Sequence, residues 1–325
     1  MGVLQYDSRK KYFDGMGTEI QSNDLAQIYK LSGLDYVVEK YPLFYEDGTA
    51  AEGCFGTRAN IDGKTVTLGH VGDQYTVLQN YQAFDFLKDV VRDGELKVEN
   101  AGIINGGKAS YICCSTEPMK ILDDDIAPYM VFQNSFDSST AVKVILTPIR
   151  VFCSNCMQIA VEQAQSKISI KHSSNVQQNL YIAKDVLLKN TKYLDAIKAE
   201  MENLATMRFT RAQFVDTLTV KILQFMGMYD ADGNVIEKKC NSGLAESYRE
   251  SMLAAWSAYD LGNYNNTAYG AIQAVLDFES HRTFARNNDN SETRFKSILK
   301  GMMISDFALP IIKSMASKST AILTK

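Results

Sequence analysis

The stretch "ELKVENAGIINGGKASYICCS", residues 95–115, decides the fold. Apolar residues crowd both sides of Asn105-Gly106-Gly107, a triplet suited to the positive φ of a tight turn. The stretch therefore reads as a β-hairpin. Downstream, "YMVFQNSFDSSTAVKVILTPIRVF" (129–152) repeats the pattern, with Asp137-Ser138-Ser139 at the bend. Upstream, "LDYVVEKYPLFY" (34–45), "GCFGTRA" (53–59) and "KTVTLGHVGDQYTVLQ" (64–79) are strand-like pieces separated by the turn signals "EDGT" and "NIDG". Strand signals thus dominate the first half.

Helical signals flank and follow them. Residues 22–33, "SNDLAQIYKLSG", read as a short helix capped by Ser22 or Asn23 and stopped by Gly33. Residues 80–94, "NYQAFDFLKDVVRDG", read as one amphipathic helix, with Asn80 as N-cap and Phe84, Leu87 and Val91 on one face. From about residue 155 the apolar period becomes 3.6. In the helix expected over 174–207, Val176, Leu180, Ala183, Leu187, Leu194, Ile197, Met201 and Leu204 share a stripe. Thr210 caps the next helix, which turns Phe214, Leu218, Ile222 and Phe225 inward, and "DADGN" (230–234) is a turn. Further helices run to about residue 318. The five prolines fall outside the strongest helical stretches or near their starts. The class is α+β: a mixed, mostly antiparallel sheet region followed by a helical region. The expected organisation is an N-terminal arm (1–22), a sheet region (23–154) and a helical region (155–325) packed on it, the last two forming separate domains or one continuous one.

The 325 residues, 46% hydrophobic and 22% charged, suffice for a large core. No apolar run approaches the roughly 20 residues needed to cross a bilayer, and the first residues lack the apolar core of a secretory signal. A cytoplasmic protein without membrane contact is expected, with its six cysteines reduced. The net charge of -4 is uneven. Residues 1–150 carry 14 Lys+Arg against 21 Asp+Glu, and residues 151–325 carry 20 against 17. A polyanion would meet the second half.

Motifs for chemistry are few. Cys153 and Cys156 have the C-x-x-C spacing of half a zinc site or of a redox pair. The adjacent Cys113 and Cys114, the single Cys54 and Cys240, and the scattered His70, His172 and His281 do not supply the missing ligands, so the pair reads first as small buried side chains. "DADGN" lacks the glycine and the twelfth-position acid of a calcium loop, and "NGGK" (105–108) lacks the frame of a P-loop. Asp123, Asp124 and Asp125 read as solvated. His172 with Cys153 is the one conceivable nucleophile–base pair. No metal and no cofactor is expected, and a non-enzymatic role is favoured.

Two clusters suit nucleic acid. "HRTFARNNDNSETRFKSILK" (281–300) carries Arg282, Arg286, Arg294 and Lys296 with Phe284 and Phe295 interleaved. Cations neutralise phosphates and aromatic faces stack on bases. The competing reading is a helix pair with core phenylalanines and a solvated basic face. "KISIKHSSN" (167–175) places Lys167 and Lys171 on an edge strand, where lysines also serve to block aggregation.

Five segments in order carry a resemblance: "LDYVVEKYPLF", "LGHVGDQYTVLQNYQAFDFLKDVV", "AGIINGGKASYICC", "NSFDSSTAVKVILTPIRVFCSN" and "NTAYGAIQAVLDFESH". From about residue 30 to 310 the chain resembles the phage- and plasmid-associated family called domain of unknown function 932. The most specific residues are Gly69, Gly72, Tyr75 and Asn80; Gly102, Gly106 and Gly107; Asp137 and Ser138; Arg150, Cys153 and Asn155; and Asn266-Thr267-Ala268. Cys156 lies outside the family pattern. The resemblance implies a mobile-element protein and brings no agreed activity. Arg150, Cys153 and Asn155 are its local site candidates: Arg150 to fix a phosphate or carboxylate, Asn155 to read a base edge or cap a helix. A buried polar network is the competing role. The expected function is single-stranded DNA binding or annealing by a homo-oligomer, the strand-strand-strand-helix order at 53–93 being loosely similar to that of annealing proteins. The alternative is a protein-interaction protein, such as a host-defence antagonist meeting a host protein, or a structural component. An enzyme built around Arg150, Cys153 and Asn155 ranks third.

Overall fold

The computed structural model describes residues 16–92, 96–122, 124–138, 142–150, 167–170, 191–236, 242–257, 264–282 and 303–323. The fold is α+β, with antiparallel sheets in the first half and helices in the second. Every strand pair among the described residues is antiparallel, in keeping with the mostly antiparallel sheet region expected.

The larger sheet runs β1 (Thr18–Glu19), β5 (Lys97–Ile104), β6 (Ala109–Ser115), β8 (Asp124–Ser135), β9 (Val142–Arg150) and β10 (Lys167–Ile170), with β7 (Met119–Ile121) paired to the start of β8. Both expected hairpins are present. Ile104 pairs with Ala109 around Asn105, Gly106 and Gly107, all at positive φ. Gln133 pairs with Lys143 around a bend in which Ser138 has φ +56°. β1 lies in the stretch read as an arm, and it joins the sheet through Thr18 and Ala101, with Met16 and Ile20 buried. A second sheet of β2 (Val38–Phe44), β3 (Ala50–Ile61) and β4 (Lys64–Gly72) stands apart over its own small core of Tyr36, Val38, Ala59, Leu68 and Phe136.

α1 (Leu25–Ser32) is capped by Asp24, whose carboxylate accepts from Ala26 N, and it ends at Gly33 in the left-handed region. The helix expected over 80–94 breaks into α2 (Asn80–Ala83) and α3 (Leu87–Arg92). A continuous helix would bury Phe84, Leu87 and Val91 and turn Phe86 away. The break buries all four and sets the Phe86 ring edge-on to Phe132 at 5.3 Å. The N-cap position is Gln79, because the Asn80 side chain is committed to the core.

In the second half, α4 (Thr191–Thr206) buries Tyr193, Ile197, Met201 and Leu204, while Leu194 is only partly covered. Residues before Thr191 in the expected long helix lie outside the described residues. Thr210 and Gln213 cap each other at the entry to a π-helical turn (Gln213–Leu218) that runs into α5 (Thr219–Phe225). Phe214, Leu218 and Ile222 are buried as expected, but Phe225 is exposed. The "DADGN" turn is held by Asp230, whose carboxylate accepts from the amides of Asp232 and Asn234. α6 (Ser242–Trp256), α7 (Ala268–Asp277) and α8 (Met303–Leu323) complete the helical part. α7 is buried from Ala268 to Leu276, and α4, α6 and α8 pack against it, so it is the axis of the helical half. Pro310 lies inside α8, against expectation. Its ring is exposed, so the helix loses one hydrogen bond without burying an orphan there. The larger core runs unbroken from Met16 to Ala316.

Two features hold α7 and α8. Asn266 at φ +65° and Thr267 bring the chain back beside Met207–Phe209, and Thr267 Oγ1 then accepts from Gly270 N. At Gly270 a Cβ would collide with the Tyr264 carbonyl oxygen. Gly270→Ala should therefore lower stability by about 1–3 kcal/mol in urea denaturation, despite alanine's higher helix propensity. The second feature is Glu279, 5% exposed, whose two carboxylate oxygens accept from the amides of Ile304 and Ser305 at 2.8 Å each at the start of α8. Burial pushes its carboxyl above the ordinary range, and the two amides only partly offset this. The folded chain thus holds this proton more tightly than the unfolded chain. The associated stability is fully present below the unfolded pKa and is lost as pH rises through the folded value. Glu279→Gln should remove that slope from the stability-versus-pH curve above pH ~4, measured by thermal denaturation at stepped pH.

Candidate functional site

Of the residues singled out from the sequence for nucleic-acid contact, Arg150, Lys167 and Arg282 lie among the described residues. Arg150 is the last residue of β9, its backbone opposite Ile126, and Lys167 opens β10 opposite Ile145. The two strands are neighbours, but Arg150 lies five positions beyond Lys167's partner. Arg282 ends the π-helical turn Phe278–Arg282 that follows α7. Cys153, Asn155, Cys156, Lys171, His172, Phe284, Arg286, Arg294, Phe295 and Lys296 lie outside the described residues. Among the described residues no three His, Cys, Asp or Glu side chains gather to hold a metal ion, and no helix is long and apolar enough to cross a membrane.

Several other residues of the resemblance, among them Gly69, Tyr75, Asn80, Gly107, Asp137 and Ser138, converge where the two sheets meet. Asn80 is 1% exposed. Its Nδ2 donates to the Leu34 carbonyl, and its Oδ1 accepts from Ser110 Oγ on β6 at 2.6 Å and from Asn134 Nδ2 on β8 at 3.3 Å. Asn134 Nδ2 also donates to the Leu78 carbonyl. Tyr75 donates its hydroxyl to the Ser135 carbonyl and Tyr36 donates to that of Gly107. Burial pushes both phenols well above the ordinary range, and Asp137 adds to the effect at Tyr75, so both remain donors. β4 docks by its outer edge on the β8–β9 bend. Gly69 packs so close to Asp137 that a Cβ would lie 2.5 Å from its Cα, and Ser138 Oγ donates to the His70 carbonyl. At Gly107 a Cβ would strike Ile61. These residues build a joint, with no nucleophile–base pair among them.

A candidate surface that sequence reading did not single out is the outer face of the small sheet. Tyr41, Gly56 and His70 stand opposite one another on β2, β3 and β4. Gly56 leaves room for the Tyr41 ring to lie across the sheet, and the Arg58 guanidinium sits 4.9 Å above that ring. Arg58 also pairs with Glu39 at 3.1 Å, both side chains exposed. On the other face Lys40 lies over Phe55 and donates to the carbonyls of Asp73 and Tyr75, tying β2 to the β4 exit. The available signal was alternation: Glu39 and Tyr41 on β2 and Gly56 and Arg58 on β3 are two apart, hence on one face.

The fold and this face define an α+β protein with a rigid joint between two antiparallel sheets and an exposed aromatic–cationic surface. The chain belongs to the family domain of unknown function (DUF932), whose model matches residues 67–299. No curated protein and no solved structure matches it.

Asn80→Ala removes one donor and one shared acceptor from the joint and takes a partner from the Ser110 hydroxyl and the Leu34 carbonyl, while Asn134 keeps its bond to the Leu78 carbonyl. A loss of about 3–5 kcal/mol is expected in chemical denaturation, far above the value for an exposed asparagine such as Asn60.

Proposed function

We propose that this protein is a non-enzymatic nucleic-acid-binding protein whose ligand is single-stranded DNA. The observation that carries the reading is the Arg58–Tyr41 stack on an exposed antiparallel sheet face, in register with His70. Bases freed from a duplex stack on aromatic rings and guanidinium planes, and open sheet faces present such groups side by side. Phosphates then compete with Glu39 for Arg58, an exchange that costs little because exposed ion pairs are weak. In this reading Arg150, Asn155, Lys167, Lys171, Arg282, Arg286, Arg294 and Lys296 supply further phosphate or base-edge contacts. The fold-level analogy with annealing proteins is weaker than expected, because residues 53–93 hold two strands, β3 and β4, before α2 and α3 where three strands and a helix were expected. A place in the replication or recombination of a phage or plasmid, in the host cytoplasm, rests on the sequence resemblance.

Fluorescence anisotropy with labelled single- and double-stranded oligonucleotides tests the reading. Single strands should bind more tightly than duplex, with affinity falling steeply as salt rises. Tyr41→Ala and Arg58→Ala should each weaken binding by about 5- to 100-fold. Arg58→Ala should also lower the salt slope by about 0.7, whereas Glu39→Gln should tighten binding up to about fivefold. No binding at low salt, or variants that bind like the parent, overturns it and directs attention to a protein partner.

A further inference from the structure

The tip of the β2–β3 hairpin presents Phe44 and Tyr45 at 62% and 65% exposure. The tip is held open by its own turn. Tyr45 N donates to the Thr49 carbonyl, Gly48 N donates to the Tyr45 carbonyl, and Asp47 accepts from Thr49 N, with Gly48 at φ +83°. The ordered turn thus presents two adjacent aromatic side chains to water, the arrangement of an interface anchor. The tip is acidic: Glu46, Asp47 and Glu52 are exposed, and no Lys or Arg occurs from Tyr41 to Thr57. The amide of Thr49 holds the Asp47 carboxyl below its usual range, so the charge persists at neutral pH.

A fitting surface lies on the helical half. Between α5 and α8 a groove of about 320 Å³ is lined by Lys221, Pro310, Ile311, Ser314 and Met315, at the small end of the range of ligand pockets. Beside it Phe225, 43% exposed, stacks on Phe307 at 4.3 Å. The groove is apolar with one exposed cation, Lys221, facing the chemistry of the tip: aromatic anchors flanked by acids.

The small sheet is closed to the commoner route of association, strand addition. At Val38 the Gln79 carboxamide accepts the backbone N–H at 2.9 Å and donates to the carbonyl at 2.8 Å, occupying the outer edge of β2. Pro42 has no N–H to offer further along. The outer edge of β4 meets the β8–β9 bend at Gly69 and His70. Side-chain docking is the route left to this sheet.

We propose that copies of this chain associate head to tail, the β2–β3 tip of one seating Phe44 and Tyr45 in the α5–α8 groove of the next. The two surfaces differ, so the contact is heterologous and propagates into a ring or a filament. Glu46 and Asp47 then meet Lys221. Tyr41 and Arg58 lie a few residues from the tip, so their faces repeat along the assembly. The proposal does not depend on DNA binding.

Light scattering across a concentration series tests it in the absence of nucleic acid. The parent chain should exceed monomer mass and grow with concentration. Phe44→Asp with Tyr45→Asp, and separately Phe225→Asp, should weaken self-association about thirtyfold or more, with thermal unfolding reporting that each variant is folded. Mixing the two variants leaves one intact tip and one intact groove and should produce a species capped at two copies. Lys221→Glu should weaken assembly, and Glu46→Lys with Asp47→Lys in the same chain should restore it. A parent that stays monomeric, variants that assemble normally, or a mixture that fails to pair overturns the proposal. DNA binding that survives in the monomeric variants separates this outcome from failure of the single-strand reading.

Discussion

The Asn80 carboxamide sits where four separate parts of the chain must agree. It donates to the segment entering β2 and accepts from β6 and β8, while its own backbone begins α2. A buried amide that satisfies partners on three sides is costly to disturb, because each stranded group loses water without gaining a partner. This one constraint fixes the position of α2 over the larger sheet. It also fixes the chain entering the small sheet. The Gln79 clasp on Val38 and the Tyr75 and Tyr36 hydroxyls extend the same tie along the joint.

Close backbone approach is the second device. Gly69 against Asp137, and Gly107 against Ile61, let the small sheet and the loop end of the larger sheet meet without side chains between them. Phe136 then fills the space, edge-on to Tyr36 at 5.7 Å, and its carbonyl accepts from Thr57 Oγ1. Polar ties set the geometry here and a small apolar cluster seals it. Gly69, Tyr75, Asn80, Gly107, Asp137 and Ser138 serve this joint, and Gly102 abuts Gly17 at the β1–β5 edge. They are architectural, which leaves the outer sheet face and the hairpin tip as surfaces available for binding.

That division suits a binding protein. The rigid joint holds the small sheet at a set angle, and the sheet offers one face and one tip to solvent. An aromatic ring pinned between Gly56 and Arg58 loses little freedom on contact, and neither do two aromatics fixed on a four-residue turn. Preorganisation of this kind lowers the entropic cost of association for either class of partner.

Local chemistry was legible in the sequence. Asn105-Gly106-Gly107 and the 137–139 bend declared two hairpins, because turn geometry is set by residues that tolerate positive φ. Gly33 and the 230–234 turn were readable for the same reason, Thr210 because its hydroxyl can cap a helix, and the buried Phe214, Leu218 and Ile222 from their helical spacing. The α+β order followed from the change of apolar period near residue 155. What required tertiary structure was long-range. Asn80 looked like an N-cap, and only its partners on β6 and β8 made it a core amide. The helix over 80–94 reads as one piece until Phe86, packed on Phe132, gives a reason to break it, and Phe225 reads as core until Phe307 meets it at the surface. The separation into two sheets, and hence the exposed row of Tyr41, Arg58 and His70, depends on which strand edge meets which bend. Pairing across tens of residues leaves no periodicity in the chain, so pattern reading finds the elements, and the energetics of contact choose their neighbours.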